Sequence, residues 1–123
     1  MKTFADCSLV TIKLKQGWAI KHHSFFNEPF LLEDGSTNPF HNDSPDLLLL
    51  HQTEKPENQK LSIDVGWHFY LVTPDTLDYT RGYFKLTIYR NKWQDVLFME
   101  MIPDLTTTIA RIHHWMLQDS VFE

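Results

Sequence analysis

Apolar and polar residues alternate with a period of two in three separate stretches of this chain, the pattern of a strand with one covered and one wet face. Val10, Ile12 and Leu14 alternate with Thr11 and Lys13. Leu61, Ile63, Val65 and Trp67 alternate with Ser62, Asp64, Gly66 and His68, and the pattern extends toward Phe69 and Leu71. Phe84, Leu86 and Ile88 alternate with Lys85, Thr87 and Tyr89. Shorter signals fill the gaps. Lys15-Gln16-Gly17 separates the first stretch from Trp18 and Ile20, and Gly17 in the third place of a short loop accepts positive φ. Residues 8–26 are therefore predicted to form a hairpin. Leu47–Gln52 suits a short buried strand, turned by Thr53–Lys60 with its Pro56. Val96–Ile102 is apolar on both faces except for Glu100, as expected of a strand lying under a helix or in the middle of a sheet.

After Pro103-Asp104 the period changes. Leu105, Ile109, Ile112 and Met116 follow at steps of four, three and four, one stripe of a helix for which Asp104 is a natural N-cap. The stripe is too narrow to stand alone and must dock on the sheet. The predicted fold is α+β, an antiparallel sheet of about five or six strands with the C-terminal helix packed on one face. At 123 residues the chain suits one domain spanning 1–123, because two cores of half that size would each be marginal.

Two stretches read as long loops. Asn27–Asp46 holds three Pro, one Gly and five Asn or Ser, with one helical turn expected near Phe30–Glu33. Thr73–Gly82 is started by Pro74. Loops of this length inside a compact fold are uncommon and often functional. The first is also polarised: from Ser24 to Glu54 there is no Lys or Arg, while Glu28, Glu33, Asp34, Asp43, Asp46 and Glu54 are all acidic. Phe26, Phe30 and Phe40 lie in the same stretch. Acids speed the encounter with a basic protein and aromatics supply the anchoring contacts. The candidate contact residues are Glu28, Glu33, Asp34, Phe40, Asp43, Asp46, Asp75, Asp78 and Tyr79. The chain's net charge of −5 opposes direct nucleic-acid binding unless positive charge gathers on one face.

Residues suited to chemistry are present without a recognisable framework. His22-His23 and His113-His114 do not chelate as pairs, because sequence neighbours point apart on strands and helices. No metal spacing, nucleophile elbow, phosphate loop or dinucleotide fingerprint occurs, so no metal and no cofactor is expected. Asp64 and Glu100 interrupt apolar strands. Asp64 is expected on the solvent face, and Glu100 beside a Lys or Arg of a neighbouring strand. Cys7 is the single cysteine, which excludes an internal disulfide and fits the cytoplasm. No signal peptide is recognisable at the start, and Leu47–Leu50 is far shorter than the roughly 20 residues of a membrane span.

The order of short motifs has a counterpart. Gly17-Trp18, Ile63-Asp64-Val65-Gly66-Trp67, Gly82-Tyr83-Phe84-Lys85-Leu86, Trp93-Gln94-Asp95-Val96-Leu97 and the final helix together resemble small bacterial immunity proteins. These belong to contact-dependent growth inhibition and related polymorphic-toxin systems. The likeness spans most of residues 8–118, and its motifs are structural and short. The resemblance implies a cytoplasmic inhibitor, not an enzyme, that binds one cognate toxin domain, often a nuclease, and blocks its active site or substrate groove. A nuclease offers a basic surface that an acidic inhibitor can occupy. The alternative is a small hydrolase or RNA-processing enzyme using His68 with Asp64 or His22.

Overall fold

The computed structural model describes residues 1–123. Strands β1 (Trp18–His23), β2 (Leu48–Gln52), β3 (Leu61–Thr73), β4 (Thr76–Arg90) and β5 (Asp95–Ile102) form one antiparallel sheet in chain order, followed by helix α1 (Leu105–Leu117). The α+β class follows directly, with five strands.

The strand registers explain the alternation. Leu50, Ile63, Ile88 and Phe98 lie opposite one another in one row across the sheet. Leu48, Val65, Leu86 and Glu100 make the next row, and Trp67, Phe84 and Ile102 the third. All three rows face the same side, which α1 covers with Thr108, Ile112 and Met116 buried and Leu105 and Ile109 half-buried. The Asp104 carboxylate accepts the Thr107 N–H at 2.9 Å, and the Thr108 hydroxyl donates to the Asp104 carbonyl at 2.7 Å. Those two bonds offset the weak helix propensity of the Thr106–Thr108 run. Glu100 also faces the helix. Its partner is Arg111 of α1, bound through two bonds at 2.9 and 3.2 Å, and not a cation of a neighbouring strand.

The expected hairpin over 8–26 closes only at its ends, where Leu9 bridges Phe26, the Val10 N–H donates to the Phe25 carbonyl at 2.8 Å and the Asn27 N–H to the Ser8 carbonyl at 2.7 Å. Gly17 takes the anticipated positive φ of 90°, but Thr11–Lys15 between these points joins no strand and lies across the core side. A helix of 13 residues is only about 20 Å long and rests on β4 and β5. The apolar side chains of β1–β3 need another cover, and Val10 and Ile12 supply part of it. Two histidines pin this segment. His23 Nδ1 accepts the Phe25 N–H at 3.2 Å, so its Nε2 carries the proton and donates to the Val10 carbonyl at 2.8 Å. His113 Nε2 accepts the Lys13 N–H at 3.0 Å, so its Nδ1 donates to the Ile109 carbonyl at 2.8 Å. Asp119 closes the far end by accepting bonds from Lys15, Trp18 and Gln52.

Two loop expectations are also corrected. Residues 73–82 are not a loop: β3 and β4 continue to a two-residue turn at Pro74-Asp75, with Leu71 opposite Leu77 and Tyr70 opposite Asp78. The register then jumps, so Tyr79, Thr80 and Arg81 bulge from β4 before Gly82 pairs with Phe69. Near Phe30–Glu33 the chain makes no helical turn. It forms a tight reversal in which Leu31 bridges Thr37 around Gly35 at φ 86°.

At Gly66 the preceding loop presses against β3. The Trp67 N–H donates to the Ser44 carbonyl at 2.7 Å and the Leu47 N–H to the Val65 carbonyl at 2.9 Å. A Cβ on Gly66 would stand 2.1 Å from the Pro45 carbonyl oxygen. Gly66→Ala is expected to destabilise the fold by about 2–3 kcal/mol, read as a shift of the urea midpoint; an unchanged midpoint would contradict this packing.

Candidate functional site

The sheet ends unevenly. Pairing of β2 with β3 stops at Val65, and pairing of β5 with β4 stops at Phe84. Residues 69–82 therefore continue as a two-stranded ribbon beyond the sheet. Its tip is apolar: Leu71, Val72 and Tyr79 are 61%, 64% and 67% exposed. Leu77 is exposed opposite Leu71. Exposed large apolar side chains gathered on one projection are the usual mark of a contact surface.

The ribbon is braced at its base. The Tyr79 ring packs on Phe69 with centroids 5.1 Å apart, and Phe69 meets Phe30 and His41. The Arg81 guanidinium sits 4.8 Å over the Tyr70 ring. Pro29, Phe30 and Leu31 face Tyr70 and Thr80–Gly82 across a cleft of about 440 Å³ that reaches Pro103–Leu105. The two regions read as separate loops in the sequence thus meet here, around one apolar end of the molecule.

The acidic candidates divide into three groups. Asp75 and Asp78 lie at or near the ribbon tip, and Glu33 and Asp34 lie on the exposed turn beyond Leu31. Hydrogen bonds from Ser36 hold the Asp34 carboxyl below its usual range, and bonds from Thr80 do the same for Asp78. Both stay ionised. Asp43 and Asp46 are exposed on a different edge, where the Asp46 carbonyl meets His22 Nε2 at 3.0 Å and Ser24 Oγ at 3.2 Å. Glu28 turns inward, where it is buried and paired with Lys2, and Phe40 packs edge-on against Phe4 at 5.0 Å. Of the acids in the set, Glu28 alone takes part in an ion pair. Leu71, Val72, Leu77 and Arg81 were not singled out from the sequence. The adjacent Leu71-Val72 was the available signal, since it breaks the wet-face alternation of β3.

The side of the sheet away from α1 carries the other chemistry-bearing residues. Asp64 occupies its middle row between Leu49 and Thr87. Burial, and then the neighbouring Asp46, push its carboxyl up to about 6 against the opposing pull of Lys85 and His22. His68 stacks on Tyr83 at 5.8 Å. Burial lowers its pKa, with Lys85 adding to the effect and Asp46 opposing it. His68 is four residues from Asp64 on one strand, a separation of about 13 Å. His22 lies two strands from Asp64, about 10 Å away, with its Nε2 already bonded to Ser24 and Asp46. The three share a face, with Asp46 and Lys85 acting on both Asp64 and His68.

No family model, curated protein or solved structure matches the chain.

The raised carboxyl makes a signed prediction. The folded state holds the Asp64 proton more tightly than the unfolded chain, so this group costs nothing below pH 4. It destabilises increasingly from about pH 4 to 6 and fully above pH 6. Asp64→Asn is expected to raise stability at pH 7 by about 1 kcal/mol, allowing for partial solvent screening, and to leave it unchanged at pH 3.5. Urea titrations at the two pH values check this.

Proposed function

We propose that this chain is the immunity partner of a toxin: in the cytoplasm it binds a cognate toxin domain and covers that domain's working surface, transforming no substrate itself. The observation carrying the reading is the projecting ribbon, where Leu71, Val72, Leu77 and Tyr79 are exposed together with the unpaired carboxylates of Asp75 and Asp78. Apolar and aromatic side chains at the centre of an interface supply most of the affinity, and surrounding charges mainly set the encounter rate. The exposed turn with Glu33 and Asp34 adds negative charge beside the Pro29–Leu31 wall of the cleft. A basic partner, such as a nuclease with its nucleic-acid groove, is the complement of this end.

The histidine arrangement agrees with a binding role. His23 and His113 act as struts for the covering segment, with both ring nitrogens engaged. Neutralising a toxin at low copy number requires a dissociation constant of nanomolar order, about −12 kcal/mol.

Co-expression with the toxic domain encoded beside this chain tests the proposal. Growth should be restored and a stable complex recovered. The double variant Leu71→Asp with Tyr79→Ala should bind about 100-fold more weakly with its circular dichroism unchanged. Lysine at Glu33, Asp34 and Asp75 should slow association and flatten its salt dependence while leaving dissociation nearly unchanged. Loss of growth rescue in the unaltered protein, or substrate turnover by the chain alone that disappears in His68→Ala, would overturn the reading.

A further inference from the structure

At the end of the sheet opposite the ribbon tip, about 30 Å away along β3, the helix-free face holds a cleft of about 310 Å³. Its walls come from four places in the sequence: Lys21 on β1, His51 on β2, Lys60 and Ser62 at the start of β3, and Lys92 and Trp93 in the turn between β4 and β5. Strand register gathers them. His51 pairs with Ser62, which in turn pairs with Tyr89. The Asn91 N–H donates to the Lys60 carbonyl at 3.2 Å, tying the turn to β3. Asn91 and Lys92 both hold positive φ, 54° and 60°, an uncommon conformation for residues with side chains.

Three of the chain's lysines thus converge in a protein of net charge −5. One carboxylate opposes them, Glu57, which lies 3.1 Å from Lys60. Two titratable groups register the resulting field. Glu57 is held below its usual range by Lys60 first and by Lys92 and Lys21 beyond it. His51 is lowered by burial and then by Lys21 and Lys60, with Glu57 opposing. The ammonium groups of Lys21 and Lys92, like those of Lys13 and Lys85, make no ion pair within the chain, whereas Lys2, Lys15, Lys55 and Lys60 each have one. His22, His23, His41 and His113 are hydrogen-bonded to protein groups, whereas His51, like His68 and His114, is not. Trp93 is 56% exposed and braced edge-on against Tyr89 at 4.8 Å, which holds its indole up as one wall.

We propose that this cleft binds a nucleotide, its phosphate held by Lys21, Lys60, Lys92 and the Ser62 hydroxyl and its base against Trp93. Ammonium groups serve as point charges for phosphate, and an aromatic face accepts any base. The volume is at the low end for small-molecule sites and takes one nucleotide, either a separate molecule or one unit of a single strand. Unlike the net charge, this local concentration favours phosphate. The site is independent of the toxin-binding reading and far from the ribbon.

Nuclear magnetic resonance titration of the intact protein with inorganic phosphate, adenosine monophosphate and a short single-stranded RNA tests the proposal. Phosphate at millimolar concentration should shift the His51 imidazole and raise its pKa, since an added dianion stabilises the imidazolium. Adenosine monophosphate should bind more tightly and move the Trp93 indole signal. A tighter response to the RNA than to the mononucleotide assigns the source to a strand, and the reverse to a separate nucleotide. Lys21→Ala with Lys92→Ala should lose about tenfold in affinity for all three. Trp93→Ala should lose only the advantage of the nucleotides over phosphate. Lys15→Ala, distant from the cleft, should change nothing. A chloride control of equal ionic strength that reproduces the shifts, or an undiminished response in the double lysine variant, would overturn the assignment.

Discussion

One helix cannot cover a five-stranded sheet. The apolar rows of this sheet run from β2 to β5, and α1 rests mainly on the last two strands. The irregular cover over β1–β3 answers that shortfall. The segment before β1 keeps one bridge, Leu9 to Phe26, and otherwise lies unpaired on the core. The long connection between β1 and β2 contributes Phe25 and Phe30 to the same side, Phe25 against Phe84 and Phe30 against Trp67. Backbone laid over a core without regular pairing must find hydrogen bonds elsewhere. Side chains provide them: His23 and His113 along the first segment, Asn38 and Asn42 within the second, with Asn42 holding the Phe26 N–H at 2.8 Å and the Phe26 carbonyl at 2.9 Å. Asn38 and Asn42, both buried, are therefore tethers for the non-sheet cover.

The same division of labour leaves one face of the sheet without a helix, and there the wet half of each alternating strand is displayed. Polar side chains distant in sequence become neighbours by register alone. Asp64 shows that this face is not uniformly solvated, since flanking side chains bury enough of its carboxyl to move it to about 6. The molecule is consequently asymmetric in charge as well as in cover. Carboxylates crowd the ribbon end and the loop edge, and ammonium groups collect at the far end of the helix-free face.

The core was legible in the sequence because period two and period 3.6 each admit one way of hiding their apolar residues. Leu61–Trp67, Phe84–Ile88 and the stripe ending at Met116 could take no other orientation. Val10, Ile12 and Leu14 carry the same signal as a true strand, but alternation states only that one side is covered; it does not say whether the backbone is paired. Residues 73–82 misled in the opposite sense. Pro74, Asp75, Asp78 and Gly82 are turn formers, yet the turn uses only the first two. Asp78 bonds the Thr80 backbone and hydroxyl inside the bulge, while Gly82 makes room for Trp67, whose ring would lie 2.1 Å from an added Cβ. The acidic residues were visible as a run, but their separation into buried Glu28, the ribbon end and the Asp43–Asp46 edge depends on three-dimensional placement. The cluster around His51 carried no sequence signal, because its members are up to 72 positions apart.

The two register breaks in the ribbon, at Phe69/Tyr70 and at Leu71/Thr73, act as a mechanical joint. In an uninterrupted ladder, an insertion near the tip would invert every side chain down to the core. Here the bulge of residues 79–81 can absorb such a change before it reaches the paired rows at Trp67 and Phe84. The projecting end can thus drift in length and chemistry while the interior keeps its arrangement, so that the body of the sheet is insulated from changes at its tip.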